Sequence, residues 1–122
     1  SQANCTTSLP DGTPTSRHSY FGLTYIPHID RFFSVNGSLS PCGNGDGATW
    51  TYDFATSKWQ LMMSNSPMAS THGTMAVYDP VSKLVYVKDQ YDFHSYDPAT
   101  TPSSTTNITT QTPTITSAAS SS

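Results

Sequence analysis

Four histidines (His18, His28, His72, His94) and two cysteines (Cys5, Cys42) are the side chains of this 122-residue chain best suited to metal or redox chemistry. A zinc or copper centre needs three or four converging ligands. None of the histidines stands in a known ligand spacing, so no metal ligands and no cofactor are expected. His94 occupies a strand position that Trp50 holds earlier in the chain, and His28 lies in a turn. Asp79, Asp92 and Asp97 follow tyrosines in turns, as does Asp89 after a lysine, and there such carboxylates cap backbone N–H groups. The chain contains no glutamate and no Gly-x-Ser-x-Gly elbow. Gly43-Asn44-Gly45-Asp46-Gly47 has the glycines of a phosphate or calcium loop, without the lysine of the first or the twelfth-position glutamate of the second. It reads as a flexible connection between strands. No catalytic residue is assigned, and an enzyme is not expected.

The cysteines suit another role. In an oxidising compartment an even count points to a bridge. A Cys5–Cys42 disulfide would close a loop of about 36 residues, which the chain-entropy argument values at roughly 3 to 4 kcal/mol. It would tie an N-terminal arm to the loop after the second strand. Three sequons, at Asn4, Asn36 and Asn107, are candidate N-glycosylation sites. Asn36-Gly37 reads as a hairpin turn, so Asn36 is expected to be exposed. Charged residues make up only 11% and the net charge is −3, which leaves no basic footprint for nucleic acid. No apolar run approaches the roughly 20 residues of a membrane span. The start at Ser1-Gln2-Ala3 resembles a mature end left by signal-peptide removal, so an extracellular location, secreted or at the cell surface, is expected.

The elements that must position these residues repeat. Tyr25 to Gly37 (YIPHIDRFFSVNG) is echoed by Tyr78 to Asp89 (YDPVSKLVYVKD), and Thr49 to Trp59 (TWTYDFATSKW) by Phe93 to Ser103 (FHSYDPATTPS). Offsets of 53 and 44 residues define a unit of about 50, the period of a radially repeated β architecture. Strands are expected at Ser19 to Tyr25, Arg31 to Val35, Thr49 to Phe54 and Gln60 to Met63. The second copy is expected to place Gly73 to Tyr78, Leu84 to Lys88 and Phe93 to Tyr96 in the first three positions. The fold class is all-β.

These residues resemble a kelch repeat, a four-stranded propeller blade. Arg17-His18-Ser19, Tyr25-Ile26-Pro27, Asn36-Gly37, Tyr52-Asp53, Thr56 and Trp59 fill most places of the pattern in the first copy. Tyr78-Asp79-Pro80, Tyr96-Asp97 and Thr100 fill them in the second, where Lys88-Asp89 replaces the glycine pair and the tryptophan is missing. The resemblance covers about Ser16 to Thr101. It is closest to secreted microbial kelch proteins and more distant from the propeller of galactose-oxidase-like copper enzymes, none of whose copper ligands maps onto this chain. It implies an arm at 1–15, two four-stranded antiparallel blades at 16–66 and 67–101, and a Ser/Thr/Pro-rich tail at 102–122.

Two blades are fewer than the about four to eight of a closed propeller. Open blades leave strand edges and apolar faces in need of cover. Either the chain is part of a longer propeller, or copies close a ring, or one copy supplies a strand to another. In the tail, 15 of the last 25 residues are serine or threonine. That composition reads as an O-glycosylated stalk, with Thr105, Thr106, Thr109, Thr110, Thr112, Thr114 and Thr116 as acceptors. Alternatively, Ile108 and Ile115 among threonines allow the segment Thr105 to Thr116 to add as an edge strand to a partner. The strand aromatics read chiefly as packing between blades, with Trp50 and Tyr91 as the candidate ligand-facing pair on a carbohydrate platform. The expected function is a glycosylated structural module that self-associates into a filament or matrix, its partners being copies of itself. The alternative is a fragment of a larger secreted kelch protein that binds carbohydrate or belongs to a galactose-oxidase-like copper oxidase.

Overall fold

The computed structural model describes residues 6–19, 21–39, 45–64, 73–99 and the strand at 108–111, the last as backbone only. Among the described residues ten strands form: β1 (Arg17–His18), β2 (Leu23–Ile26), β3 (Arg31–Val35), β4 (Ser38–Leu39), β5 (Thr49–Asp53), β6 (Lys58–Met63), β7 (Met75–Asp79), β8 (Leu84–Lys88), β9 (Phe93–Tyr96) and β10 (Ile108–Gln111). The chain is all-β, and the one helical turn among the described residues is the 3-10 segment Pro27–Ile29. Sheet 1 runs β2-β3-β5-β6 and sheet 2 runs β7-β8-β9-β10, every pair antiparallel. A two-stranded ribbon, β1 with β4, joins the N-terminal segment to the end of β3.

Local chemistry sets the turns. Pro27 opens the β2–β3 turn with its φ already fixed. Asp30 then takes φ 52° to reverse the chain, and Lys83 at φ 61° does the same between β7 and β8. The two copies therefore turn at equivalent residues. Beyond β3, Gly37 stands at φ 116°, and a Cβ there would lie 2.8 Å from the His18 carbonyl oxygen, so the close approach of β1 demands glycine.

The core lies between the two sheets. Ile26, Phe33 and Val35 of sheet 1 meet Ala76, Val85, Val87 and Tyr96 of sheet 2, with the Phe33 and Tyr96 rings 4.9 Å apart. Met62 and Met63 are adjacent yet both buried, because the register slips between Thr49 and Trp50 and leaves Met62 without a cross-strand partner. The innermost strands touch edge to edge. The Phe21 N–H donates to the Thr74 carbonyl (3.2 Å) and the Ala76 N–H to the Phe21 carbonyl (2.9 Å), a parallel bridge. At the opposite end the His28 ring stacks on Tyr78, its Nδ1 2.8 Å from the tyrosine oxygen.

The tail departs from the expected stalk in one segment. Ile108–Gln111 pairs along Phe93–Tyr96 and completes sheet 2 as its fourth strand. The open edge of β9 offers unpaired backbone groups, and a threonine-rich segment in its own chain satisfies them. Thr109 and Thr110 therefore belong to a sheet, and sheet 2 extends past the boundary expected near residue 101. Thr105, Thr106, Thr112, Thr114 and Thr116 lie outside the described residues.

Candidate functional site

Alternation along sheet 1 sends two sets of side chains to opposite sides. One side carries Phe33 and Val35 into the core. The other carries Leu23, Tyr25, Phe32, Trp50, Tyr52 and Trp59. Phe32, Tyr52 and Trp59 stand directly opposite one another on β3, β5 and β6. On this side Tyr52 meets Trp59 edge to face at 5.1 Å and Phe54 at 5.2 Å, and Trp50 meets Trp59 at 6.4 Å. Such pairs add to sheet stability beyond their area.

The N-terminal arm crosses part of this side. Between Thr13–Arg17 of the arm and Leu23, Phe32, Ser34 and Trp59 of the sheet lies an open cleft of about 490 Å³. An ion pair anchors the arm: Arg17 contacts Asp46, both side chains being buried. Arg17 also donates from Nε to the Thr15 carbonyl and from Nη2 to the Thr7 carbonyl, each at 3.0 Å. The Thr7 hydroxyl donates to the other Asp46 oxygen at 2.9 Å. Asp46, expected in a flexible connection, is instead a buried anchor. Tyr25 (45% exposed) and Phe54 (48%) remain clear of the arm. The Tyr25 hydroxyl donates to Asp30 at 2.6 Å, and that bond raises its pKa.

A second cluster lies at the β8–β9 loop. Asp89 Oδ1 accepts the N–H groups of Tyr91 (2.8 Å) and Asp92 (2.5 Å), while its Oδ2 lies 3.5 Å from His94 Nε2, both side chains fully buried. Asp89, Asp92 and His94 each present a donor atom within 4.8 Å of the others, a set able to approach a metal ion. Three donors fall one short of a closed tetrahedral zinc site, and Asp89 already caps the turn. The signal in the sequence is Asp-x-x-Asp-x-His, which histidine spacing alone passes over.

The other turn aspartates cap backbone groups as read from the sequence. Asp79 accepts from the Val81 and Ser82 N–H groups and the Ser82 hydroxyl (2.7 Å), and these bonds, the hydroxyl's first, hold its pKa below the ordinary value. A depressed folded pKa means that the capping contribution is present above the ordinary carboxylate pKa and lost as pH falls through the lower folded value. Carbon-13 NMR titration should therefore place the Asp79 midpoint below that of an unstructured aspartate. In Ser82→Ala the midpoint should move back upward, and an unmoved midpoint would exclude the hydroxyl as the main cause.

Two expected positions are corrected. Asn36 is wholly buried at φ 58°, its Nδ2 donating to the Thr74 hydroxyl at 3.2 Å between the sheets, so it is not the exposed acceptor that Asn-Gly suggested. Trp50 is 1% exposed, leaving no ring face open to a ligand, whereas Tyr91 on the β8–β9 loop is 71% exposed. The structure thus does not bring Trp50 and Tyr91 to one platform. Cys5, Cys42, Asn4, Asn107 and His72 lie outside the described residues. Among the described residues no helix is long and apolar enough to cross a membrane. No protein-family model matches the chain, and a search of curated proteins finds no match.

Proposed function

We propose that this chain is an extracellular, glycosylated structural module whose two sheets are kelch-like blades and which associates with copies of itself into a ring, filament or matrix. One observation carries the reading. The two-sheet stack ends on apolar faces at both ends, with Tyr25 and Phe54 exposed on sheet 1 and Met75 (51%) and Val77 (55%) exposed on sheet 2. Contiguous exposed apolar surface of this kind marks an interaction site. A second reading, a carbohydrate-binding piece of a larger secreted kelch protein, draws on the cleft beside Trp59, where an aromatic ring and the hydroxyls of Thr13, Thr15 and Ser16 line one space.

Light scattering of the native particle, combined with the intact mass of the deglycosylated chain, separates the two. A 13.2 kDa chain in larger regular particles supports self-association. A longer chain in a monomeric particle overturns it and favours the larger propeller.

A further inference from the structure

We infer that copies join head to tail, the outer face of sheet 2 in one copy seating on the outer face of sheet 1 in the next. This rests on the self-association proposed above and adds its direction and its residues.

The registers of the two sheets can be superposed position by position. Counting from the equivalent turn residues Asp30 and Lys83, Phe32 opposite Tyr52 in sheet 1 corresponds to Val85 opposite Tyr96 in sheet 2. By the same count Tyr25 corresponds to Tyr78. Val85 and Tyr96 are fully buried and Tyr78 packs against the core, so these three belong to the face with which sheet 2 meets sheet 1. The outer face of sheet 1, with Tyr25, Phe32 and Tyr52, is therefore the counterpart of a face that already docks within the chain.

The converse holds at the other end. Tyr86 corresponds to Phe33, the residue through which sheet 1 meets sheet 2, and Val77 to Thr24. Tyr86 and Val77 stand opposite each other on the outer face of sheet 2, where Tyr86 stacks on Phe93 at 5.4 Å. Each chain thus makes this interface once internally and carries two halves that no sheet among the described residues covers, one at each end, the half on sheet 1 being crossed at the Leu23–Trp59 side by the N-terminal arm and open at Tyr25 and Phe54. What covers the equivalent faces inside the chain is another sheet of the same kind.

Like-with-like pairing would need a contact that does not occur among the described residues, whereas head-to-tail stacking repeats the one already made. Such a heterologous contact closes a ring when the rotation permits and otherwise grows a filament. With two sheets per copy, a ring of about four to eight blades takes about two to four copies.

The test uses two variants of the full chain, Tyr25→Lys and Val77→Lys, each placing a charge on one exposed outer position. Phe54→Lys and Met75→Lys are the replacements should either fail to retain its β circular dichroism. Head-to-tail joining predicts that each variant alone is monomeric. An equimolar mixture of the two should double in mass to a 1:1 complex and grow no further, because only one intact face of each kind remains. A dimer formed by either variant alone would overturn the direction while leaving self-association standing. A wild-type chain that stays monomeric across the whole concentration range would overturn both.

Discussion

Replacing Phe33 by alanine is expected to cost about 3 to 5 kcal/mol, the range for deleting a large buried aromatic side chain. Phe33 is fully buried on the central strand β3, and its ring lies 4.9 Å from Tyr96 of the other sheet. The cavity would open where the two sheets meet, and the facing residues are held on hydrogen-bonded strands that cannot collapse into it freely. Against a total stability of about 5 to 15 kcal/mol for a typical domain, this is a large fraction. Denaturant unfolding of Phe33→Ala should show a much lower midpoint in a single transition. Val81→Ala, at a side chain 90% exposed, should fall within about 0.5 kcal/mol of the parent. A Phe33→Ala cost below about 1 kcal/mol, or two separate transitions in the parent, would mean that the sheets do not share one cooperative core.

The second large effect concerns the arm. Asp46→Ala leaves the Arg17 guanidinium without its carboxylate at a site where the side chain is 6% exposed. Removing one partner of a buried ion pair typically costs about 3 to 5 kcal/mol, because the remaining charge stays desolvated. Here the charge has an exit: the arm can lift off the sheet and return Arg17 to water. The expected result is therefore an undocked arm on a still-folded pair of sheets. It should be read as a red shift in tryptophan emission, since Trp50 is buried and Trp59 lines the cleft beneath the arm, and as faster proteolysis within residues 6–19. The double replacement Arg17→Met with Asp46→Leu removes both charges and should recover most of the loss. An unchanged emission maximum in Asp46→Ala would show that the ion pair does not hold the arm.

The sequence by itself determined the all-β class and most of the strands. Arg31–Val35, Leu84–Lys88 and Phe93–Tyr96 fall where alternation and the flanking turns put them, since those signals are local and each residue's preference agrees with its neighbours. The duplicated Tyr-x-Pro turns were legible for the same reason. Only the tertiary structure decided the rest. β10 carries no strong strand pattern of its own and exists because β9 has an open edge to satisfy. Phe21 leaves the expected first strand because its backbone bonds to Thr74 and Ala76 of the other sheet. Asn36 keeps the left-handed turn that Asn-Gly announced, yet the second sheet closes over it. Arg17 and Asp46, 29 residues apart, become partners only when separate segments are folded together. Short-range backbone preferences are written residue by residue, whereas burial and charge pairing depend on which surface arrives from elsewhere in the chain.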